Sequence, residues 1–350
     1  MIKRHKFYEI LYLSRKFVKK QVNMTTVIVR KKLFLVIAGV VLVTLLTLMK
    51  GQGKIPTPKL AASFSSFYSV NDLGTIPKLP PAYGGLTFDP KNAKRLLIGG
   101  LAGTQKAQIY EVRVKRGSDN HIIGFNSASP LAKAPGKGKG GIDASLAYSP
   151  KGDVLFYTSY DDNSIGQIKL GSRSPNKQIN LTALGIASST GALAFVPKGF
   201  VGVDRLKITS YTTNKLYDTT ITPDGSGTYN IVSPSRSIKL SGGLDAMIFV
   251  KAGKPGFVKD SLLIAEFDTN NVSAYQLDTK GNPIPSSRQN FITGISYHSP
   301  TSLTGTIGAT TDPLTGDFLY STVLENTAAK GRIFAVRSSA KSSLFPTRLR

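Results

Sequence analysis

The sequence predicts an all-β protein, a β-propeller of four-stranded blades, and three observations support this prediction. The 350 residues include 34 Gly and 19 Pro, and many short apolar runs lie between turns. A glycine-led segment recurs along the chain at intervals of about 50 residues. Strands and turns follow one another in the same order within each recurring unit, which is typical of a propeller blade.

The repeat is marked by the second small residue of each unit. The intervals between the markers are 56, 50, 52 and 65 residues, and the markers are Gly85, Gly141, Gly191, Gly243 and Gly308. A second strand such as VLFYTSY follows the first, and an Asn/Asp/Gly turn leads to a third strand such as SIGQIKL. A fourth strand such as NKQINLTAL closes most units. This pattern predicts five blades, or six if Ile295–Thr306 contains a degenerate unit. A β-sandwich is the alternative fold.

The fifth unit ends at Arg337 without a clear fourth strand. The segment SFYSVNDLGTIPKLPPAYGG, which begins at Ser66, has strand character and directly precedes the first marker glycine. We expect this segment to supply the missing strand and close the ring. Closure removes the exposed sheet edges that would otherwise favour aggregation.

The net charge of +25 is unevenly distributed. Residues 1–60 contain 13 Lys and Arg against the single acid Glu9, and the remaining chain carries an excess of +13. The basic residues form no dense helical stripe and no nucleic-acid-binding motif occurs, so nucleic acid is not an expected partner. The chain has no Cys, which excludes disulfides, thiolate metal sites and a Cys nucleophile.

The uncharged run Leu33–Met49 follows the basic residues Arg30, Lys31 and Lys32. We interpret 33–49 as a transmembrane or signal helix, and 1–32 as a basic cytoplasmic segment whose true start is Met24 in one reading. An uncleaved anchor is favoured over a cleaved signal peptide, because the nearby small-residue triplet Gly51–Gly53 is a poor cleavage site. A buried core helix is the third alternative.

The remaining chain divides into a linker at 50–63, a propeller at 64–340 and a tail at 341–350. The positive charge before the apolar run predicts that the propeller is exported, to the periplasm or the cell surface. The expected partners are the membrane, through the N-terminal helix, and a glycan, small-molecule or protein ligand. The propeller itself is expected to be monomeric.

The strand–turn–strand core VLFYTSYDDNSIGQIKL resembles the NHL and gluconolactonase-like propellers. The phrases GALAFVPKGF, TPDGSGTYNI, DSLLIAEF and DPLTGDFLYST also resemble those of exported cyanobacterial propeller proteins. This resemblance spans nearly the whole domain and implies the propeller fold, without implying one particular activity. The tail SSLFPTRLR lacks the terminal hydrophobic segment of those relatives that carry a sorting signal.

The candidate binding residues lie where second strands end. In a propeller this end lies on the same face as the start of each first strand, around the central channel, so residues from several blades can converge there. They are the predicted ligand-binding residues Tyr160, Asp161, Tyr211 and Asp268, together with His298 in the insert between two blades. Turn chemistry is the alternative explanation for each aspartate. Among the other histidines, His121 starts a predicted strand, HIIGF, and His5 precedes the apolar run.

Asp143, Asp245 and Glu266 are the predicted metal ligands, and no other cofactor is predicted. The two aspartates share a Gly-Gly-apolar-Asp context, and converging carboxylates suit Ca²⁺, which takes six to eight oxygen ligands. Two functions therefore stay open. The favoured one is a binding module that acts through the channel face, and the alternative is a metal-dependent lactonase-like hydrolase or lyase.

Overall fold

The computed structural model describes residues 58–295, 304–324 and 331–339, and these form an all-β ring of five blades. The chain divides into two units, Met1–Ile55 and Pro56–Arg350, and every described residue belongs to the second. The predicted helix at 33–49 lies outside the described residues. Among those residues, no helix is long and apolar enough to cross a membrane.

The described elements follow the predicted order of short strands. The first half contains β1 (Lys59–Leu60), α1 (Ala62–Ser65), β2 (Tyr68–Gly74), β3 (Leu86–Asp89), β4 (Asn92–Gly100), β5 (Gln108–Arg116), β6 (Ile122–Phe125), β7 (Ser129–Lys133), β8 (Leu146–Tyr148), β9 (Val154–Ser159), β10 (Ser164–Lys169) and β11 (Lys177–Asn180). The second half contains β12 (Thr190–Phe195), β13 (Leu206–Ser210), β14 (Lys215–Thr219), β15 (Ile221–Pro223), β16 (Tyr229–Ile231), β17 (Ser237–Lys239), β18 (Leu244–Val250), β19 (Ser261–Glu266), β20 (Asn271–Gln276), β21 (Gln289–Thr293), β22 (Thr304–Thr311), β23 (Phe318–Leu324) and β24 (Ile333–Ser338). Three 3₁₀ turns lie at Thr182–Leu184, Phe267–Thr269 and Pro285–Ser287.

Each blade is an antiparallel sheet, which we number from the N-terminal side of the ring. Blade 1 contains β3, β4, β5 and β7, with β6 also paired to β5; blade 2 contains β8 to β11, and blade 3 contains β12, β13, β14 and β17. Blade 4 contains β18 to β21, with β1 added at its outer edge. Blade 5 contains β22, β23, β24 and β2. The five-blade count is therefore confirmed for the described residues.

Ring closure follows the sequence prediction. β2 pairs antiparallel with β24, with Val70 opposite Val336, so the N-terminal strand completes the last blade. The structured region begins earlier than the predicted boundary at 64, because Lys59 and Leu60 pair with Thr293 and Ile292 of β21. Part of the predicted linker thus covers the outer edge of blade 4, where backbone N–H and C=O groups would otherwise stay unpaired.

The apolar core consists of five layers, one between each pair of neighbouring blades. Blades 1 and 2, 2 and 3, 3 and 4, 4 and 5, and 5 and 1 each share one cluster of buried side chains. A middle strand such as β9 or β19 is buried on both faces, so every residue of Val154–Ser159 and Ser261–Glu266 is buried. Double burial explains why these strands lack the polar alternation of a half-exposed sheet.

The ring has two faces, which we name by the turns that form them. The channel face contains the turns from second to third strands and the links from one blade to the next. The far face contains the turns from first to second strands and from third to fourth strands. The hairpin of β15 and β16, around the predicted turn TPDGSGTYN, extends from the far side of blade 3.

Candidate functional site

The channel face of blades 2, 3 and 4 is built on one recurring turn. Each second strand is followed by a four-residue turn, which consists of an aromatic residue, two further residues and an Asn. The three Asn residues are Asn163, Asn214 and Asn270. All three adopt positive φ, at 43°, 51° and 57°, a conformation that Asn tolerates better than most residues. The turn therefore places the three aromatic residues at equivalent positions of neighbouring blades.

The same Asn residues attach each turn to the chain that follows the fourth strand. The backbone oxygens of Asn163, Asn214 and Asn270 accept from the N–H groups of Leu181, Leu240 and Ile295, at 2.9, 2.8 and 3.3 Å. The Asn163 side chain is buried and donates to the Ile186 oxygen at 3.0 Å. These bonds fix the turns, so the side chains on them are held in place.

The aromatic residues Tyr160, Tyr211 and Phe267 form a row across three blades. The ring centroids of Tyr160 and Tyr211 lie 5.5 Å apart at 75°, and those of Tyr211 and Phe267 lie 6.1 Å apart at 73°. These edge-to-face contacts are the favoured arrangement of aromatic pairs. Tyr160 and Tyr211 are half-buried and offer aromatic surface to a ligand, whereas Phe267 is buried.

The carboxylates beside the row belong to the same turns. The Tyr211 hydroxyl donates to Asp268 Oδ1 at 2.5 Å, across the junction of blades 3 and 4. Burial raises the pKa of Tyr211, and the hydrogen bond to Asp268 and the charges of Asp268 and Asp245 raise it further. The phenol therefore stays protonated and holds its bond to Asp268. Asp268 and Asp161 are both exposed.

Asp245 lies at the channel-face end of the first strand of blade 4, which we call the channel mouth. It is 4% exposed and lies at a β-bulge, between Leu244 opposite Glu266 and Ala246 opposite Ala265. A bulge redirects a side chain out of the regular alternation. Ile307 is the corresponding bulged residue of blade 5 and packs in a buried apolar cluster with Ala144, Phe267 and Val323. We infer that Asp245 faces the same space.

Asp143 does not occupy the equivalent position, which corrects the pairing that the shared Gly-Gly-apolar-Asp phrase suggested. Leu146 pairs with Tyr157 in blade 2, whereas Met247 pairs with Ile264 in blade 4. Asp143 lies three residues before Leu146, whereas Asp245 lies two residues before Met247. Ala144 is therefore the counterpart of Asp245.

Apolar side chains from blades 2, 4 and 5 pack together at the level of Asp245, since Ala144 and Ile307 are its counterparts in their blades. Ala144, Phe267, Ile307 and Val323 form one buried cluster, and Tyr211 packs against it. A Cβ at Gly305 would collide with the Phe267 ring, so glycine at that position makes room for the aromatic side chain. The candidate site is therefore bordered by this buried apolar cluster.

Glu266, a predicted metal ligand, forms a buried ion pair instead. Its carboxylate accepts from Arg288 Nε at 2.8 Å and Nη2 at 2.5 Å, and from the Tyr275 hydroxyl at 2.7 Å. The Glu266 side chain is fully buried, so its charge requires these partners. In the part of the chain that the structure describes, no three His, Asp or Glu side chains are grouped to hold a metal ion.

The basic loop before blade 2 folds around Asp162. The carboxylate accepts from the N–H groups of Lys139 at 2.8 Å and Gly140 at 3.0 Å, and from Ser159 Oγ at 3.1 Å. Burial alone raises the pKa of Asp162, but the hydrogen bonds outweigh burial and hold that pKa below its ordinary value. Lys137 and Lys139 are exposed beside the site.

The predicted functional histidine, His298, lies outside the described residues. His121 lies on the far side of blade 1, where its Nδ1 is 2.7 Å from Asp317 Oδ2. β6 confirms the strand predicted from HIIGF, which now includes Ile122–Phe125.

Three contributors to the site were not predicted from the sequence, namely Phe267, Asp162 and the turn asparagines. Alignment of the phrases YDDN, YTTN and FDTN would have found Phe267 and the asparagines, because the aromatic residue and the Asn keep the same spacing in each. It would not have singled out Asp162, because the other two phrases have Thr at that position. Comparing turns rather than marker glycines is therefore the better guide to this face.

The fold and its face define the chain as a five-bladed β-propeller. Comparison with protein-family models gives no match, and comparison with curated protein sequences gives none either. The similarity to known proteins is found in solved structures alone.

Three of those structures illustrate the range of proteins that the chain resembles in fold. A glucose dehydrogenase is 12% identical with a TM-score of 0.41, and the match covers 74% of this chain and 86% of that chain. The calcium structure of a Trichoderma reesei carbohydrate-active enzyme of family AA12 is 11% identical with a TM-score of 0.44, covering 82% and 98%. Myxococcus xanthus glutaminyl cyclase is 10% identical with a TM-score of 0.46, covering 77% and 96%. Likenesses of this size carry no argument about activity.

Proposed function

We propose that this propeller is a binding module whose channel face, over blades 2 to 4, holds a polyhydroxylated ligand such as a glycan. The observation that carries the proposal is the row of Tyr160, Tyr211 and Phe267, with Asp268 hydrogen-bonded to the central tyrosine at 2.5 Å. Aromatic surface and oriented polar groups are the usual elements of a small-molecule site.

The chemistry of the row suits a sugar ring. A half-buried tyrosine offers an apolar ring together with a polar hydroxyl. Asp161 and Asp268 are exposed, and ionised carboxylates accept hydrogen bonds from the hydroxyl groups of a sugar. The turns are fixed by backbone bonds to Asn163 and Asn214, so little order must be gained on binding.

Saturation-transfer NMR against a panel of neutral oligosaccharides tests this proposal. We expect transfer to at least one oligosaccharide, and we expect Tyr211→Ala to abolish it. Tyr211→Phe keeps the ring and removes the bond to Asp268, so it should weaken binding severalfold. Tyr148→Phe is the matched control, because Tyr148 is a half-buried tyrosine at the far end of β8. Equal binding by the wild type and Tyr211→Ala would remove the row from the proposal.

The proposal includes a calcium ion with Asp143 or Asp245 as its ligand, since the Glu266 carboxylate is already paired with Arg288. Titration calorimetry with CaCl₂ on the wild type and Asp245→Asn tests this directly. A heat that Asp245→Asn removes supports a calcium site at the channel mouth, and an unchanged heat rejects Asp245 as a ligand. The lactonase-like alternative depends on such a site.

We also propose that the propeller is extracytoplasmic and monomeric, and that residues 33–49 anchor it to the membrane. The support is the apolar run with basic residues before it. Kinship with the NHL and gluconolactonase-like propellers, and with exported cyanobacterial propeller proteins, belongs to the same proposal, on the strength of the phrases quoted above. Fractionation of the tagged full-length chain tests the anchor, because soluble recovery from the periplasm would indicate cleavage.

A further inference from the structure

The far face differs from the channel face in the apolar side chains that it exposes. All eight exposed large hydrophobic side chains of the described residues lie on the far side of the ring, in its turns or at strand ends beside them. Every blade contributes at least one of them, and the most exposed in each blade are Ile123 (62%), Leu170 (56%), Val201 (53%), Val258 (84%) and Leu314 (52%). Single exposed apolar residues are ordinary, but their confinement to one face is informative.

The same face carries an excess of positive charge. Its turns contain nine exposed Lys and Arg residues, against the exposed carboxylates Asp119, Asp153 and Asp204. In the blade 4 turn, Val258 is preceded by Lys254 and followed by Lys259, and both lysines are exposed. Protruding apolar side chains surrounded by lysines are the features with which proteins bind the interface of an anionic membrane.

The turns of the far face are tied to one another around the ring, so the exposed side chains stay on one surface. Hydrogen bonds or ion pairs cross four junctions between blades, and they are Lys169 Nζ with Ser226 O (3.2 Å), Lys251 Nζ with Gly199 O (2.6 Å), Tyr68 Oη with Pro255 O (2.9 Å), and Arg116 with Asp312 (2.6 Å). At the fifth junction the turns approach each other, since a Cβ at Gly152 would lie 3.3 Å from the Pro90 ring. The Lys251 ammonium also lies 4.9 Å from the Phe200 ring centroid.

We propose that the far face docks on the surface of an anionic phospholipid bilayer, with the lysines near the lipid phosphates and the apolar tips in the interface. This docking leaves the channel face open to solvent and is independent of the predicted helix at 33–49. An anionic polysaccharide would use the lysines alone, since it offers no apolar layer. The exposed Val258, Ile123 and Leu170 therefore favour the bilayer.

Vesicle sedimentation of Pro56–Arg350 tests this docking. This unit contains every described strand, including the closing strand β2, so its core and its ring are complete without the first 55 residues. We expect binding to vesicles of phosphatidylcholine mixed with phosphatidylglycerol, weaker binding at high salt, and none to phosphatidylcholine alone. Absence of binding to the mixed vesicles overturns the proposal.

Two paired variants separate the far face from net charge. Lys254→Ser with Lys259→Ser should lower partition onto mixed vesicles at least about tenfold, since each lysine near such a surface contributes roughly a fivefold factor. Lys78→Ser with Lys106→Ser removes the same charge from the channel face and should change partition less than about twofold. Circular dichroism and the melting temperature confirm that each variant is folded. Equal losses in the two pairs overturn the proposal.

The apolar tips separate a bilayer from a soluble polyanion. Val258→Ser with Leu170→Ser should lower partition onto mixed vesicles severalfold and leave binding to dextran sulfate unchanged. If this variant binds the vesicles as the wild type does, attraction by charge alone is sufficient and bilayer docking is rejected.

Discussion

Blades 2 and 4 begin with nearly the same phrase, GGIDAS and GGLDAM, yet the structure places the two aspartates differently. Counted from the residues that pair with Tyr157 and Ile264, Asp143 lies one position earlier than Asp245. Asp245 thereby reaches the channel mouth with Ile307, and Ala144 takes that position in blade 2.

The difference shows that strand register, rather than the motif, decides which side chain faces the channel. The backbone of Asp143 is engaged at the junction of two blades, where its oxygen accepts from the Gly85 N–H at 2.6 Å. In blade 4 it is the Leu244 oxygen that accepts a bond from the preceding blade, from Thr209 Oγ1 at 2.8 Å. Asp143 therefore corresponds to Leu244 in this role.

The largest expected difference in stability between blades 2 and 4 concerns the aromatic residue that follows the second strand. Phe267→Ala should lower the free energy of unfolding by about 3–5 kcal/mol, because the ring is buried in an apolar cluster and its removal leaves a cavity. Tyr160→Ala, the same position in blade 2, should cost about half as much, because Tyr160 is half-buried. Urea denaturation measures both, and equal losses of stability would contradict the deeper burial of Phe267.

The next largest difference in stability concerns the residue before the aromatic one, which is Glu266 in blade 4 and Ser159 in blade 2. Arg288→Met should destabilise the fold by about 3 kcal/mol, because it leaves the fully buried Glu266 carboxylate without its cation. Blade 2 has Ser159 in place of Glu266, and Ser159→Ala should cost about 1 kcal/mol. The double variant Arg288→Met with Glu266→Gln should recover part of the loss, and no recovery would show that Arg288 acts through packing alone.

The third residue of the turn predicts a difference in pH dependence. Asp162 has a lowered pKa in the folded state, so its stabilising contribution is complete above the ordinary Asp pKa of about 3.9 and is lost as the pH falls through the folded value. Blade 4 has Thr269 at this position. Asp162→Asn should therefore flatten the acid limb of stability and cost about 1–2 kcal/mol at neutral pH. Melting temperatures across the acid range measure this, and parallel curves would contradict it.

The sequence was sufficient for the fold because its signals are local and repeated. Apolar runs, turn residues and a fixed period predicted five blades, and the strand character of Tyr68–Gly74 predicted the closure that β24 confirms. The site was predicted only in part. Tyr160, Tyr211 and Asp268 do lie together, whereas the partner of Glu266 is Arg288, a cation 22 residues later that no spacing rule connects to it.

The smallest effect, and the sharpest test of the register difference, is the titration of Tyr211. The charges of Asp268 and Asp245 both raise the pKa of this phenol, after burial as the main cause. Asp245→Asn removes one of these charges and should lower the Tyr211 pKa, whereas Asp143→Asn should leave it unchanged. Difference absorbance against the Tyr211→Phe variant isolates this one tyrosine among the 14 of the chain. If both aspartate variants shift the titration equally, the two side chains face the channel alike, and the one-residue offset between blades 2 and 4 has no electrostatic consequence.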